Sequence, residues 1–219
     1  MLLPRGKLLK EPTNPATMNW LEAIHNLKEG GFSGYLDCAG EDGKGILLFV
    51  GGQLVAVHFF SPLRHSVDAE AFSRIFSRSL EGGMLLSVYR VSRDLALQIF
   101  GLLTGELLYG GQQLHLLDIP HVLDKLRQDK FSGCLRVGVA EEVVLIFYRE
   151  GKPLGFFLDG NAELTSDADM GESVARLPGA TLDVIAGRRD NGKVLPDLLQ
   201  SLDIQACWHQ AVARAEATR

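Results

Sequence analysis

Along this chain the apolar positions change period several times, and each change predicts a new element. Asn19-Trp20-Leu21-Glu22 places a capping side chain three residues before a Glu that can reach back to its amide, and Trp20, Ile24 and Leu27 follow as a helical stripe. Gly30-Gly31 stops that helix. Over 32–38 the period falls to two: Phe32, Gly34, Leu36 and Cys38 take one side, and Ser33, Tyr35 and Asp37 the other, the pattern of a strand with one buried face. A turn at 39–44, a strand from Ile46 to Val50, a tight turn at Gly51-Gly52 and a strand from Leu54 to Phe60 complete a three-stranded antiparallel meander. Ser61-Pro62 breaks it. Over 66–80 a helical period returns, with Ala69, Phe72, Ile75, Phe76 and Leu80 on one face, until Gly82-Gly83. Met84 to Val91 reads as a fourth strand, and Ser92 caps a helix carrying Leu95, Ile99, Leu102 and Leu103. Residues 107–117, split by Gly110-Gly111, read either as a small hairpin or as a linker.

The same order returns 99 residues further on. Phe131-Ser132-Gly133-Cys134-Leu135 echoes Phe32-Ser33-Gly34-Tyr35-Leu36, and Leu123 and Leu126 stand where Ile24 and Leu27 stood. Leu145-Ile146-Phe147 matches Leu47-Leu48-Phe49 at an offset of 98, which implies a shorter turn and a one-residue extension at Tyr148-Arg149-Glu150 before Gly151 answers Gly52 at 99. Leu154, Phe156 and Leu158 repeat the parity of Val55, Val57 and Phe59 and mark that face as core. After Asn161 a shorter helical pattern carries Met170, Val174 and Leu177, and Gly179, Leu182 and Val184 match Gly83, Leu86 and Val88 at an offset of 96. A closing helix runs from Lys193 to Ala217, with Pro196 near its start and Leu198, Leu199 and Leu202 on one side.

Antiparallel strands covered on one face by helices define an α+β fold: two tandem repeats, each a three-stranded antiparallel meander plus a fourth strand, covered by helices. The expected boundaries are a flexible arm at 1–18, a first repeat at 19–117, and a second at 118–219 that includes the C-terminal helix. So many amphipathic strands per helix disfavour a parallel nucleotide-binding sheet.

Composition narrows the function classes. Hydrophobic residues make up 46% of the 219, enough to bury a core. A net charge of −5 argues against neutralising a nucleic-acid backbone, and Arg64, Arg74, Arg78, Arg90 and Arg93 are interrupted by Asp68, Glu70, Glu81 and Asp94 as on a mixed solvated face. Cys38, Cys134 and Cys207 are far apart and lack CxxC spacing, so neither a disulfide framework nor a zinc site is indicated and a reducing cytoplasm fits best. Met1 to Met18 holds three prolines and no apolar run of signal-peptide length, and no later segment reaches membrane-spanning length.

The pattern Phe-Ser-Gly-x-Leu, then an apolar strand ending at Phe49, then Gly51-Gly52-Gln53-Leu54-Val55-Ala56-Val57 and a helix, resembles the PATAN-like domains of bacterial two-component signalling and regulatory proteins. The likeness covers roughly residues 19–91 and, more weakly, 119–186. It implies a non-catalytic adaptor or regulatory module; the receiver domain to which such modules are often fused is absent here. The chain departs from the pattern at Pro153, which replaces the strand residue Leu54 and is harmless only at a sheet edge.

Among candidate sites, the second face of the third strand stands out. Leu54, Ala56, His58 and Phe60 point away from the core parity yet are mostly apolar, as in a strand buried on both faces or one presenting a recognition or dimer surface. His58, Phe60, Arg64, His65 and Phe157 are the candidate ligand or partner contacts, and Arg64 with the two histidines could form an anion-binding corner. No catalytic, cofactor-binding or metal-ligating set is indicated. His25, His115, His121 and His209 lack ligand spacing; Cys38 and Cys134 fall at non-equivalent places in the repeat; and no GxSxG, P-loop or GxGxxG occurs. Glu141-Glu142 and the pair Asp167 and Asp169 read as solvated or capping groups. The expected function is a cytoplasmic regulatory or protein–protein interaction module in signal transduction, with a protein partner, a possible homodimer, and neither nucleic acid nor membrane as target. The alternative is a sensor holding a small ligand between the repeats.

Overall fold

A computed structural model describes residues 3–140, 142–166, 174–187 and 194–217. In chain order the elements are β1 (Lys7–Thr13), α1 (Trp20–Glu29), β2 (Gly34–Gly40), β3 (Gly43–Val50), β4 (Gln53–Phe60), β5 (His65–Val67), α2 (Asp68–Glu81), β6 (Met84–Arg90) and α3 (Arg93–Leu103). There follow β7 (Glu106–Gln113), α4 (Ile119–Gln128), β8 (Gly133–Val139), β9 (Glu142–Arg149), β10 (Lys152–Phe157), β11 (Thr181–Ala186), α5 (Leu198–Ser201) and α6 (Ile204–Ala217). The fold is mixed α+β, and the chain divides into two compact units: Lys7–Ala96 with Val194–Arg219, and Leu2–Gly6 with Leu97–Lys193.

The first unit holds a six-stranded antiparallel sheet ordered β1-β6-β2-β3-β4-β5. Asn19 caps α1 as its sequence requires, with Oδ1 accepting from the Glu22 amide at 3.2 Å and Nδ2 donating to the Glu22 carboxylate at 3.2 Å. The Trp20 and Ile24 stripe enters a core with Phe32, Leu36, Phe49, Phe72, Ile75 and Phe76. β3 and β4 are joined through Gly51 and Gly52 at φ 58° and 86°, a turn with two left-handed residues whose twist matches that of the strands it connects.

The repeated Phe-Ser-Gly triplet has a definite structural task. The Phe32 carbonyl accepts from the Gly52 amide at 2.8 Å, and Ser33 Oγ accepts from the Gly51 amide at 2.9 Å, so the triplet ties down the β3–β4 turn. A Cβ on Gly34 would collide with the Tyr89 carbonyl oxygen and the Phe32 ring, which is why no larger residue fits beside β6. In the second unit the Phe131 carbonyl accepts from the Gly151 amide at 2.7 Å, Ser132 Oγ accepts from the Glu150 amide at 2.9 Å, and a Cβ on Gly133 would strike the Ile185 carbonyl oxygen.

That second unit holds a five-stranded antiparallel sheet ordered β10-β9-β8-β11-β7. Its core gathers Leu126, Phe131, Leu135, Val137, Val144, Tyr148, Leu182 and Val184. Pro153 lies on edge strand β10, where its missing amide is tolerated.

Several expectations are corrected. The stretch read as a flexible arm contains β1, whose Lys7 pairs with Arg90 and Thr13 with Leu86, while the Arg5 amide donates to Asp159 at 2.7 Å. Its prolines mask the strand in the sequence, and an edge position accommodates Pro12. The segment at 107–117 is neither hairpin nor linker: β7 pairs with β11, and a 3-10 turn follows at Leu114–Leu116. The closing helix is two helices, and it belongs with the first unit, not the second: Leu198, Ile204 and Ala211 are buried in the first core. The offset of 98 does not hold either. Gly34 faces Phe49 and Gly133 faces Tyr148, so the meanders match at 99 throughout, and the edge-on ring pairs Phe32–Phe49 (6.0 Å) and Phe131–Tyr148 (6.2 Å) follow the same count. Strand parity, not identity of letters, sets the correspondence. The first repeat strand is buried on both faces, since Tyr35 is 1% exposed. Of the shorter helix expected after Asn161, the described part is a 3-10 turn at Val174–Arg176; Met170 lies outside the described residues.

Candidate functional site

β4 and β5 form a hairpin closed by Ser61-Pro62-Leu63-Arg64. Pro62 presets the turn, and Ser61 holds it from both sides: its amide and Oγ donate to the Arg64 carbonyl at 3.0 and 2.8 Å, and Oγ accepts from the Arg64 amide at 3.1 Å. The register places Phe60 directly opposite His65, and His58 two residues back on the same face.

Three rings therefore stack in a ladder. Phe60 and His65 lie 4.4 Å apart at 8°, His58 and His65 5.1 Å apart at 17°, and His58 and Phe60 5.7 Å apart at 12°. His58 Nδ1 and His65 Nε2 share one proton across 2.9 Å, which requires at least one neutral ring. Burial, then the neighbouring His65, lowers His58 from 6.5 to about 4; burial also lowers His65.

Glu70, in the first turn of α2, organises the charged rim. It accepts from Arg64 Nη2 at 3.0 Å and from Ser66 Oγ at 2.9 Å, and pairs with Arg74 Nε at 3.3 Å. The geometry does not aim these groups at an anion: the two imidazoles hydrogen-bond each other at 2.9 Å, and the Arg64 guanidinium pairs with Glu70 at 3.0 Å. Two apolar side chains stand out on this otherwise charged and mixed surface: Leu63 is 98% exposed at the hairpin tip and Val67 45% exposed on β5.

Of the five contacts expected from sequence, the structure brings together His58, Phe60, Arg64 and His65. Phe157 lies on β10 of the second unit and is fully buried. Of the β4 positions read either as buried on both faces or as a recognition surface, Leu54, Ala56 and His58 are buried, at most 5% exposed, and Phe60 is partly exposed. Sequence reasoning missed Leu63, Ser66 and Glu70. An apolar residue directly after a turn proline was the available signal for Leu63.

Cys38 and Cys134 are buried, and burial drives both thiols far above their ordinary range; Cys207 is raised as well, again chiefly by burial. Among the described residues no group of three or more His, Cys, Asp or Glu side chains is placed to hold a metal ion. Glu141, Asp167 and Asp169 lie outside the described residues. A 210 Å³ groove of the first unit is floored by Phe59 and Met84, and its Arg78 is already paired with Asp42 at 3.1 Å and Glu81 at 2.7 Å.

No family model, curated protein or solved structure matches this chain. Among the described residues no helix is long and apolar enough to cross a membrane.

Proposed function

We propose that this chain is a non-catalytic regulatory or protein–protein interaction module of bacterial signal transduction, working in the cytoplasm, and that it recognises its partner through the β4–β5 hairpin. One observation carries the reading. Leu63 stands 98% exposed on a turn held by three hydrogen bonds and backed by the His58–His65–Phe60 ladder, an apolar anchor presented on a fixed support. The Arg64–Glu70 pair beside it supplies a polar rim. The PATAN-like pattern of the Phe-Ser-Gly meander supports the same class.

A photo-crosslinking residue at position 67, introduced in the source cell, tests this. A discrete heteromeric adduct is expected there and not from position 194, where Val194 is 90% exposed but lies away from the hairpin in sequence. Equal adducts from both positions, or none from 67, would refute the assignment.

A further inference from the structure

The two sheets end in four edge strands, β1, β5, β7 and β10, and three of them are protected against pairing. β1 carries Lys7, Lys10 and Pro12; β5 is three residues long; β10 begins Lys152-Pro153. β7 has neither lysine nor proline and is eight residues long; its one irregularity is the register shift on either side of Tyr109. All eight of its residues are exposed, Leu107 at 59%, Leu108 at 45% and Tyr109 at 62%, and its one charge is Glu106 at the end. An exposed edge carrying Leu107, Leu108 and Tyr109 in succession is a template for another strand.

We propose that β7 is the interface between two copies of this chain, paired antiparallel about a two-fold axis. The strand's charge and polar ends suit that occupant. Antiparallel self-pairing sets Glu106 of each copy against Gln113 of the other, a carboxylate against an amide that can donate to it, and keeps the two Glu106 side chains at opposite ends. The same operation on β1 would bring Lys10, at the strand's midpoint, against itself. Register shifts beside Tyr109 bend the strand, so the contact is shared between backbone pairing and the Leu107, Leu108 and Tyr109 side chains.

Light scattering after size-exclusion of the full chain, from micromolar to millimolar concentration, tests this. The expected mass is twice 24.0 kDa, falling to 24.0 kDa for the Leu107→Lys/Tyr109→Lys variant and staying doubled for Leu8→Lys on β1. In the wild-type chain, hydrogen exchange at residues 106–109 is expected to slow about tenfold as concentration rises. A wild-type chain that stays at 24.0 kDa, a double variant that stays dimeric, or concentration-dependent protection confined to other residues would overturn the proposal.

Discussion

Glu150 holds a left-handed backbone at φ 49°, where the matching turn of the first unit uses Gly51 at φ 58°. Left-handed geometry costs a residue with a Cβ about 1–2 kcal/mol, and glycine's extra chain entropy offsets part of the relief. Glu150→Gly is therefore expected to raise stability by about 0.5–1 kcal/mol in urea titrations, because the amide that bonds Ser132 is retained. His58 sets a pH dependence at the same scale. Its folded value of about 4 lies below the ordinary 6.5, so its contribution is complete above pH 6.5 and is lost as pH falls toward 4. The loss amounts to about 2–3 kcal/mol. In His58→Phe that slope should flatten between pH 6.5 and 4, as thermal midpoints across pH would show. Residues of this kind were half legible. The Phe-Ser-Gly triplet announced itself by recurring, and its hydrogen bonds explain why all three letters return; the His58–His65 bond depends on a hairpin register that spacing alone does not specify.

At the scale of elements, α6 is the instructive case. Its Trp208 meets Phe76 of α2 edge-on at 5.3 Å, and Phe76 in turn meets Trp20 at 5.5 Å, so a helix from the end of the chain closes a core begun by the first helix. Trp208→Ala is expected to cost about 2 kcal/mol, below the cost for a fully buried Trp because this one is partly exposed. A shift in the urea midpoint at unchanged m-value would show it; no shift would mean that α6 does not stabilise the core. Helix period was visible in the sequence, but which core a terminal helix joins is decided by long-range packing, which adjacency in the chain does not encode. β1 was hidden for a different reason: an edge strand with lysines and a proline avoids the alternation by which strands are recognised.

Across the whole molecule, what recurs at a spacing of 99 is packing: the ring pair, the serine tie and the glycine crossing. The residues that single out the candidate site do not recur, since His58 corresponds by that count to the buried Phe157. The α+β class was readable because periodicity reports burial; of the two readings open for the second face of β4, burial holds for Leu54, Ala56 and His58, while Phe60 at its end joins the ring ladder. With a net charge of −5, and with Arg64, Arg74 and Arg78 paired to carboxylates, the chain is expected to leave nucleic acid unshifted in gel assays even at low salt. The central claim is recognition through the hairpin, and the most direct measurement compares Leu63→Ser with the parent chain, each carrying the crosslinker at position 67. The account predicts a thermal midpoint within about 1 °C, since Leu63 buries almost nothing, together with at least about a tenfold loss of the partner adduct. An adduct of undiminished yield would contradict it.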